Sequence, residues 1–224
     1  MDARRSSVLV DLGVTAYVPR GGPAAASAPQ WALAAGPAGM DWATLAATVR
    51  VCTLCGLCAT RTQTVFGTGD IRARLMVIGE APGAEEDRQG EPFVGRAGQL
   101  LNSMLKAAGF ERGQVYIANV LKCRPPNNRD PAGEEMERCL PYLRRQIELL
   151  DPAVILCVGR IAAQRLLERD DTIARMRGRI HRLGRRPVIV TYHPAYLLRS
   201  PTEKRKSWED LKLAMGVLAG GDGA

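Results

Sequence analysis

Four short apolar runs govern what this chain can fold into: Leu75-Met76-Val77-Ile78, Val115-Tyr116-Ile117-Ala118-Asn119-Val120, Val154-Ile155-Leu156-Cys157-Val158 and Val188-Ile189-Val190. Each is rich in β-branched residues and nearly continuous, as expected of strands covered on both faces rather than wet on one. Helical patterns fill the intervals. Gln99 to Leu105 follows the first run, Glu134 to Leu150 the second, and Ile161 to Leu167 the third. Pro141 is placed to kink or split the middle helix. The alternation predicts an α/β fold, a single-domain three-layer sandwich with a central, mainly parallel four-stranded sheet flanked by helices. A last helix is expected from Ser200-Pro201-Thr202-Glu203, with Ser200 as cap, Pro201 in the first helical position and Glu203 closing a capping box.

The domain carrying this pattern is expected over residues 41–215. Asp41-Trp42-Ala43-Thr44-Leu45 can open a short helix at its start. Residues 21–40, dominated by Ala, Gly, Pro and Ser, read as a flexible tether, and residues 1–20 show no clear period. Together they make a flexible or poorly structured extension, and residues 216–224 a frayed tail. With 224 residues, 46% of them hydrophobic, one sizeable core can be buried. No apolar run approaches the ~20 residues of a membrane helix. The apolar stretch behind Arg4-Arg5 is broken by Asp11 and Gly13, which argues against a secretory signal and for a cytoplasmic protein. The formal net charge of +8 favours a polyanionic partner, either nucleic acid or an anionic membrane.

In an open α/β sheet, ligands bind beyond the carboxyl ends of the strands. Three such places carry unusual residues. The first strand runs into Gly79-Glu80-Ala81-Pro82-Gly83-Ala84-Glu85-Glu86-Asp87, a turn whose glycines allow close backbone approach to a ligand. It is neither a dinucleotide fingerprint nor a phosphate loop. Its acidity suits a neutral group or a cationic transition state. Glu91-Pro92-Phe93-Val94-Gly95-Arg96-Ala97-Gly98 follows, and Phe93 is one of only three phenylalanines, framed by Gly and Pro. A ring held there can stack on a nucleobase, worth ~1–3 kcal/mol; core packing is the competing reading. The fourth strand runs into Thr191-Tyr192-His193-Pro194-Ala195-Tyr196-Leu197-Leu198-Arg199. Of the two histidines, His193 at the strand exit is the better candidate for chemistry, whereas His181 lies in a basic stretch where a solvated or phosphate-facing role fits. Tyr196, Leu197 and Leu198 form an apolar tip flanked by Arg199, Lys204, Arg205 and Lys206, suited to insertion between bases with phosphates on either side; an ordinary loop whose leucines dock on the core is the competing reading.

Six cysteines in a reducing compartment are poor candidates for disulfides. Cys52, Cys55 and Cys58 read as C-x-x-C-x-x-C, a spacing that points to metal or redox chemistry, while Cys157 sits in an apolar run as a buried thiol would.

Gly79-Glu80-Ala81-Pro82-Gly83, Glu91 to Gly98, Asn119-Val120-Leu121-Lys122-Cys123-Arg124-Pro125-Pro126 and His193-Pro194-Ala195-Tyr196 occur in an order and at a spacing that closely resemble the family-four uracil-DNA glycosylases, over residues 48–212. That resemblance implies a [4Fe–4S] cluster on Cys52, Cys55, Cys123 and Cys139, anchoring the N-terminal segment; spacing alone equally allows zinc, or Cys58 as a replacement ligand. It implies that Asn119 reads the uracil edge, Phe93 stacks on it, the backbone at Glu80, Ala81 and Pro82 borders the pocket, and His193 donates to the carbonyl oxygen that gains charge. Some other glycosylase classes carry an aspartate where this chain has Ala81, so the catalytic carboxylate either comes from a neighbour, with Glu80 and Glu86 as candidates, or is dispensed with, and His193 completes the expected catalytic set. DNA contacts fall on Tyr196, Leu197 and Arg199. The implied activity is monofunctional excision of flipped-out uracil from single- or double-stranded DNA by a monomer, without strand cleavage. A covalent, suicide-like relative in the wider superfamily carries a histidine in a basic loop after the second strand; Arg124 to Arg129 contains none. Two other classes fit parts of the pattern. One is a cluster-bearing DNA-binding or polymerase-associated module with a vestigial crevice. The other is an iron–sulfur oxidoreductase, against which the missing dinucleotide fingerprint counts.

Overall fold

A computed structural model describes residues 36–220 of the chain. The expected extension over residues 1–40 therefore lies almost wholly outside the described residues. The elements, in chain order, are α1 (Trp42–Arg50), β1 (Thr68–Gly69), β2 (Leu75–Gly79), α2 (Ala84–Gln89), α3 (Arg96–Ala107), β3 (Tyr116–Asn119), α4 (Gly133–Leu150), β4 (Val154–Val158), α5 (Arg160–Leu167), α6 (Ile173–Met176), β5 (Ile180–Leu183), β6 (Arg186–Thr191), α7 (Pro194–Arg199) and α8 (Lys204–Gly220).

The four apolar runs form β2, β3, β4 and β6, mutually parallel and adjacent in the order β3-β2-β4-β6. The sheet nevertheless has six strands, not four. β1 pairs antiparallel with β3, and β5 pairs antiparallel with β6. Both additions are edge strands, and each lacks the signal that marked the others. β1 is two residues long, and β5 is Ile-His-Arg-Leu, alternating between exposed and half-buried positions. Short, charged strands are how a sheet edge avoids unwanted pairing.

Alternate residues along the central strands feed two cores. Met76, Ile78, Ala118, Ile155, Cys157, Val188 and Val190 pack with Leu45, Val49, Leu143, Ile147 and Ala163 from α1, α4 and α5. Leu75, Val77, Ile117, Leu156 and Ile189 pack with Leu101, Leu105, Leu211 and Ala214 from α3 and α8. The three layers are thus helices, sheet, helices. Asp41 caps α1, its side chain accepting from Thr44 N at 2.8 Å. Leu45 and Val49 are fully buried on the core side of α1, a burial worth about 1.5–3 kcal/mol each.

Three local details differ from expectation. Pro141 does not split α4, which runs through it: Pro141 and Glu137, whose carbonyl loses its bond, are both exposed and open to water. Ser200 makes no side-chain cap, and Glu203 pairs with Lys206 at 2.8 Å instead of closing a box; a 3-10 turn, Pro201–Glu203, precedes α8. α8 itself continues to Gly220 with Leu218 buried, past the point where fraying was expected.

Candidate active site

The connection from β2 runs toward β3 while that from β4 runs toward β6, so a crevice opens beyond their carboxyl ends. It measures about 500 Å³, and its walls include all six residues expected to bind substrate: Glu80, Ala81, Pro82, Phe93, Asn119 and His193. Tyr196 and Arg199 also line it. Leu197 does not. It is completely buried and packs beside α3 and α8, so it cannot serve as the expected DNA wedge; the exposed apolar residues of this segment are Tyr196 and Leu198. α7 turns every third or fourth residue to the core, and Leu197 occupies that position.

Gly79 ends β2 where no side chain fits. A Cβ there would overlap Asn119 Oδ1 and lie 2.6 Å from Phe93 Cζ, so glycine lets ring and amide share one floor. Phe93 has φ 54°, in the left-handed region, a strain of order 1–3 kcal/mol for a non-glycine residue. Glu86 holds the backbone just after it and ties it to the loop behind β2. Oε1 accepts from Val94 N at 2.9 Å and Gly95 N at 3.0 Å, and Oε2 accepts from Gly83 N at 3.0 Å. Glu86 was expected as an alternative catalytic acid; its oxygens are instead committed to three amides that join the two walls of the crevice.

The Asn119 side chain is 1% exposed, and its Oδ1 has no hydrogen-bond partner among the described residues. An orphaned buried acceptor costs about 1–3 kcal/mol, which a ligand N–H would recover. His193 caps α7, its Nδ1 accepting from Ala195 N at 3.1 Å. Burial, helped by Arg199 and opposed by Glu86, pushes its pKa down to about 4, so the ring is neutral near pH 7. With Nδ1 accepting, the proton resides on Nε2, which becomes a donor. The ring lies 5.6 Å from that of Phe93, tilted by 32°. Burial, and then Asp130, against the pull of Arg160, pushes the Glu80 carboxyl up to about 7. His181 packs locally, Nε2 lying 2.6 Å from the Met176 carbonyl oxygen.

Sequence reasoning missed the far wall, made by Pro125, Asn128 and Arg129. Asn127 and Asn128 both have φ 54°, and an Asn-Asn pair behind two prolines is a turn signal that would have marked a shaped loop.

Cys52, Cys55, Cys123 and Cys139 all line a second cavity between α1, α4 and the segment after β3. Cys58 is not part of that lining. Three donors reach the sulfurs: Arg61 Nη1 to Cys123 at 3.1 Å, the Lys122 amide to Cys139 at 3.2 Å, and the Tyr142 hydroxyl to Cys52 at 3.5 Å. Burial raises the Cys139 thiol to about 12 and pushes Cys55 and Cys123 up as well. Among the described residues, no three His, Cys, Asp or Glu side chains converge as a site for a single metal ion.

A doubly covered mixed sheet, parallel at its centre, whose strand ends present this crevice defines a class, and the family model described as the uracil DNA glycosylase superfamily matches residues 66–212. A type-4 uracil-DNA glycosylase of Archaeoglobus fulgidus is 48% identical over 177 residues, covering 75% of this chain and 88% of the relative. Type-4 enzymes of Thermotoga maritima and Pyrobaculum aerophilum are 45% and 42% identical, covering 76% and 79% of this chain and 91% and 94% of theirs. The chain belongs to the type-4 uracil-DNA glycosylase family within that superfamily.

Proposed function

We propose that this chain is a monofunctional uracil-DNA glycosylase, hydrolysing the N-glycosidic bond of an everted deoxyuridine to leave an abasic site. The observation that carries the reading is that Asn119, whose buried Oδ1 has no partner among the described residues, lines the same crevice as the Phe93 ring and a neutral His193. Uracil presents an imide N–H between two carbonyls. Asn119 Oδ1 accepts that N–H while the amide nitrogen donates to a carbonyl. Cytosine has a bare ring nitrogen there, which would leave the buried acceptor unpaired, and such mismatches discriminate strongly.

As the C–N bond breaks, its electron pair leaves with uracil and spreads onto the carbonyl oxygens. His193 Nε2–H stabilises that charge, a contribution typically worth about 2.7–4 kcal/mol. A neutral imidazole suits this role because it donates without surrendering its proton to the departing base. The sugar becomes oxocarbenium-like. Glu80, deprotonated above about pH 7, offsets the positive charge and takes a proton from the water that adds at the anomeric carbon. Extruding the nucleotide costs a few kcal/mol. Tyr196 and Arg199 at the crevice, with Leu198, would fill the vacated stack and hold a flanking phosphate.

Cys52, Cys55, Cys123 and Cys139 would hold a [4Fe–4S] cluster. Four thiols around one cavity, with N–H and O–H donors aimed at three of the sulfurs, suit a group that takes four thiolates. Its contribution is a cross-link between the N-terminal segment and the loop after β3; the excision chemistry needs no electron transfer.

The test is an oligonucleotide carrying one uracil, incubated with the protein and then with alkali to break abasic sites. Cleavage at that position is expected from single-stranded, U·G or U·A substrates. A strand left intact in all three contexts would refute the reading.

A further inference from the structure

The segment leaving β3 carries Asn119 at one end and Cys123 at the other. Lys122 between them is 1% exposed. Lysine is almost never fully buried without partners, and this ammonium has three acceptors for its three N–H groups. They are the Asn119 carbonyl at 2.9 Å, Gln146 Oε1 at 2.6 Å and the Phe66 carbonyl at 3.2 Å. Gln146 is itself held, its amide nitrogen donating to the Phe66 carbonyl at 3.0 Å and to the Tyr116 hydroxyl at 3.2 Å. The main chain of Lys122 faces the other way. Its amide donates to Cys139 Sγ at 3.2 Å, and its carbonyl accepts from Val65 N at 2.7 Å. From the same segment, Val120 N donates to the Gly79 carbonyl at 2.9 Å and Leu121 N to the Glu80 carbonyl at 3.0 Å.

One residue therefore touches both sites. Its backbone holds a sulfur of the cysteine cavity, and its side chain holds the peptide of the residue whose amide faces the crevice. Asn119 needs such a hold, because its Oδ1 and the Phe93 ring share the space over Gly79 that a Cβ would fill, and a small shift of its peptide would move the acceptor relative to a base.

We infer that Lys122 is a positioning residue that fixes Asn119 to the four-cysteine site, so that the integrity of that site sets how well the uracil edge is read. The inference rests on the proposed roles of both sites. It gives the cysteine cavity a duty in base recognition as well as in anchoring.

Lys122→Met keeps the length and apolar stem of the side chain and removes the ammonium. Binding is measured to two duplexes, one carrying 2′-fluoro-2′-deoxyuridine, which resists hydrolysis, and one carrying an abasic analogue at the same position. Iron content and visible cluster absorption are read on the same samples. The expected result is wild-type cluster loading and wild-type affinity for the abasic duplex, with affinity for the uracil duplex lowered about tenfold, the scale of one hydrogen bond to a charged group. A loaded variant that binds both duplexes like the wild type overturns the inference, as does one that loses affinity for both equally. Should Lys122→Met not fold or load, Gln146→Met decides: a base-specific loss supports the inference, and an unchanged ratio between the duplexes overturns it. Where both variants load, the double variant should be no worse than Lys122→Met, since Gln146 acts through Lys122; additive losses would overturn the coupling. Wild-type protein that neither excises uracil nor carries a cluster would indict the underlying reading of the sites, a separate result.

Discussion

Gly98 on α3 supports the Phe93 backbone from beneath: a Cβ at Gly98 would overlap the Phe93 carbonyl and lie 2.9 Å from its Cα. The ring that faces the crevice is thus set by a helix position with no side chain of its own. Gly98→Ala should push Phe93 out of register and lower kcat/KM for uracil excision by about 5- to 150-fold, the equivalent of the ~1–3 kcal/mol carried by one stacked base. Gly113→Ala, where a Cβ meets nothing within 4 Å, is the control and should leave steady-state rates unchanged.

Glu80→Gln should lower the single-turnover rate more than it weakens binding to uracil-containing DNA. Because the Glu80 pKa is raised to about 7, wild-type turnover should climb as pH rises through that value, and the variant's profile should be flat there. Equal rates across pH 6–8 would remove Glu80 from the mechanism.

The same shift has a stability consequence of opposite sign. The folded state holds the Glu80 proton more tightly than the unfolded chain, whose carboxyl titrates near the ordinary 4.5. Stability from this group is complete below that value and lost as pH rises through about 7. Glu80→Gln should therefore be more stable than the wild type at pH 8, on the order of 1–2 kcal/mol once solvent screening is allowed for. Melting curves at pH 5 and pH 8 test this: the gain should appear only in the second.

His193→Ala should cost about 10²–10³ in single-turnover rate, the scale of one preorganised donor. Binding of uracil-free DNA should be unchanged. With the imidazole pKa near 4, the wild type should show no activity transition around pH 6.5 that this variant abolishes.

Glu86→Gln separates scaffold from chemistry. It weakens the bonds to Gly83, Val94 and Gly95, so melting temperature and activity should fall together. The pH dependence should keep the wild-type shape, in contrast to Glu80→Gln. A flattened profile would restore Glu86 as a catalytic acid.

Cys58→Ala should retain iron and visible absorption, because Cys58 lies outside the lining shared by the other four thiols. Cys139→Ala should lose both and expose the α1 region to protease. Retention of a full cluster by Cys139→Ala would exclude it as a ligand.

The parts of this protein legible along the chain were those written as local pattern. The unbroken apolar runs of β2, β3, β4 and β6 announced burial on two faces, and turn residues at their ends announced a shaped crevice. The motifs around Glu80, Phe93, Asn119 and His193 named residues that do meet there. β1 and β5 went unread because an edge strand of two residues, or one of four with a polar pair at its centre, has no apolar run to show. Leu197 and Leu198 looked alike in sequence, and only the rotation of α7 against α3 and α8 buries the one and exposes the other.

Side-chain chemistry at the site was decided by neighbours distant in the chain. Glu80 and Glu86 are equivalent acids on one loop until the fold partly buries the first near Asp130 and places the amides of Val94 and Gly95 against the second. Nothing beside Lys122 in the chain shows that it is buried; α4 supplies Gln146 as its acceptor. Periodicity reports how a segment meets water; it cannot report which groups converge from opposite ends of the polymer, and that convergence sets charge, proton position and reach.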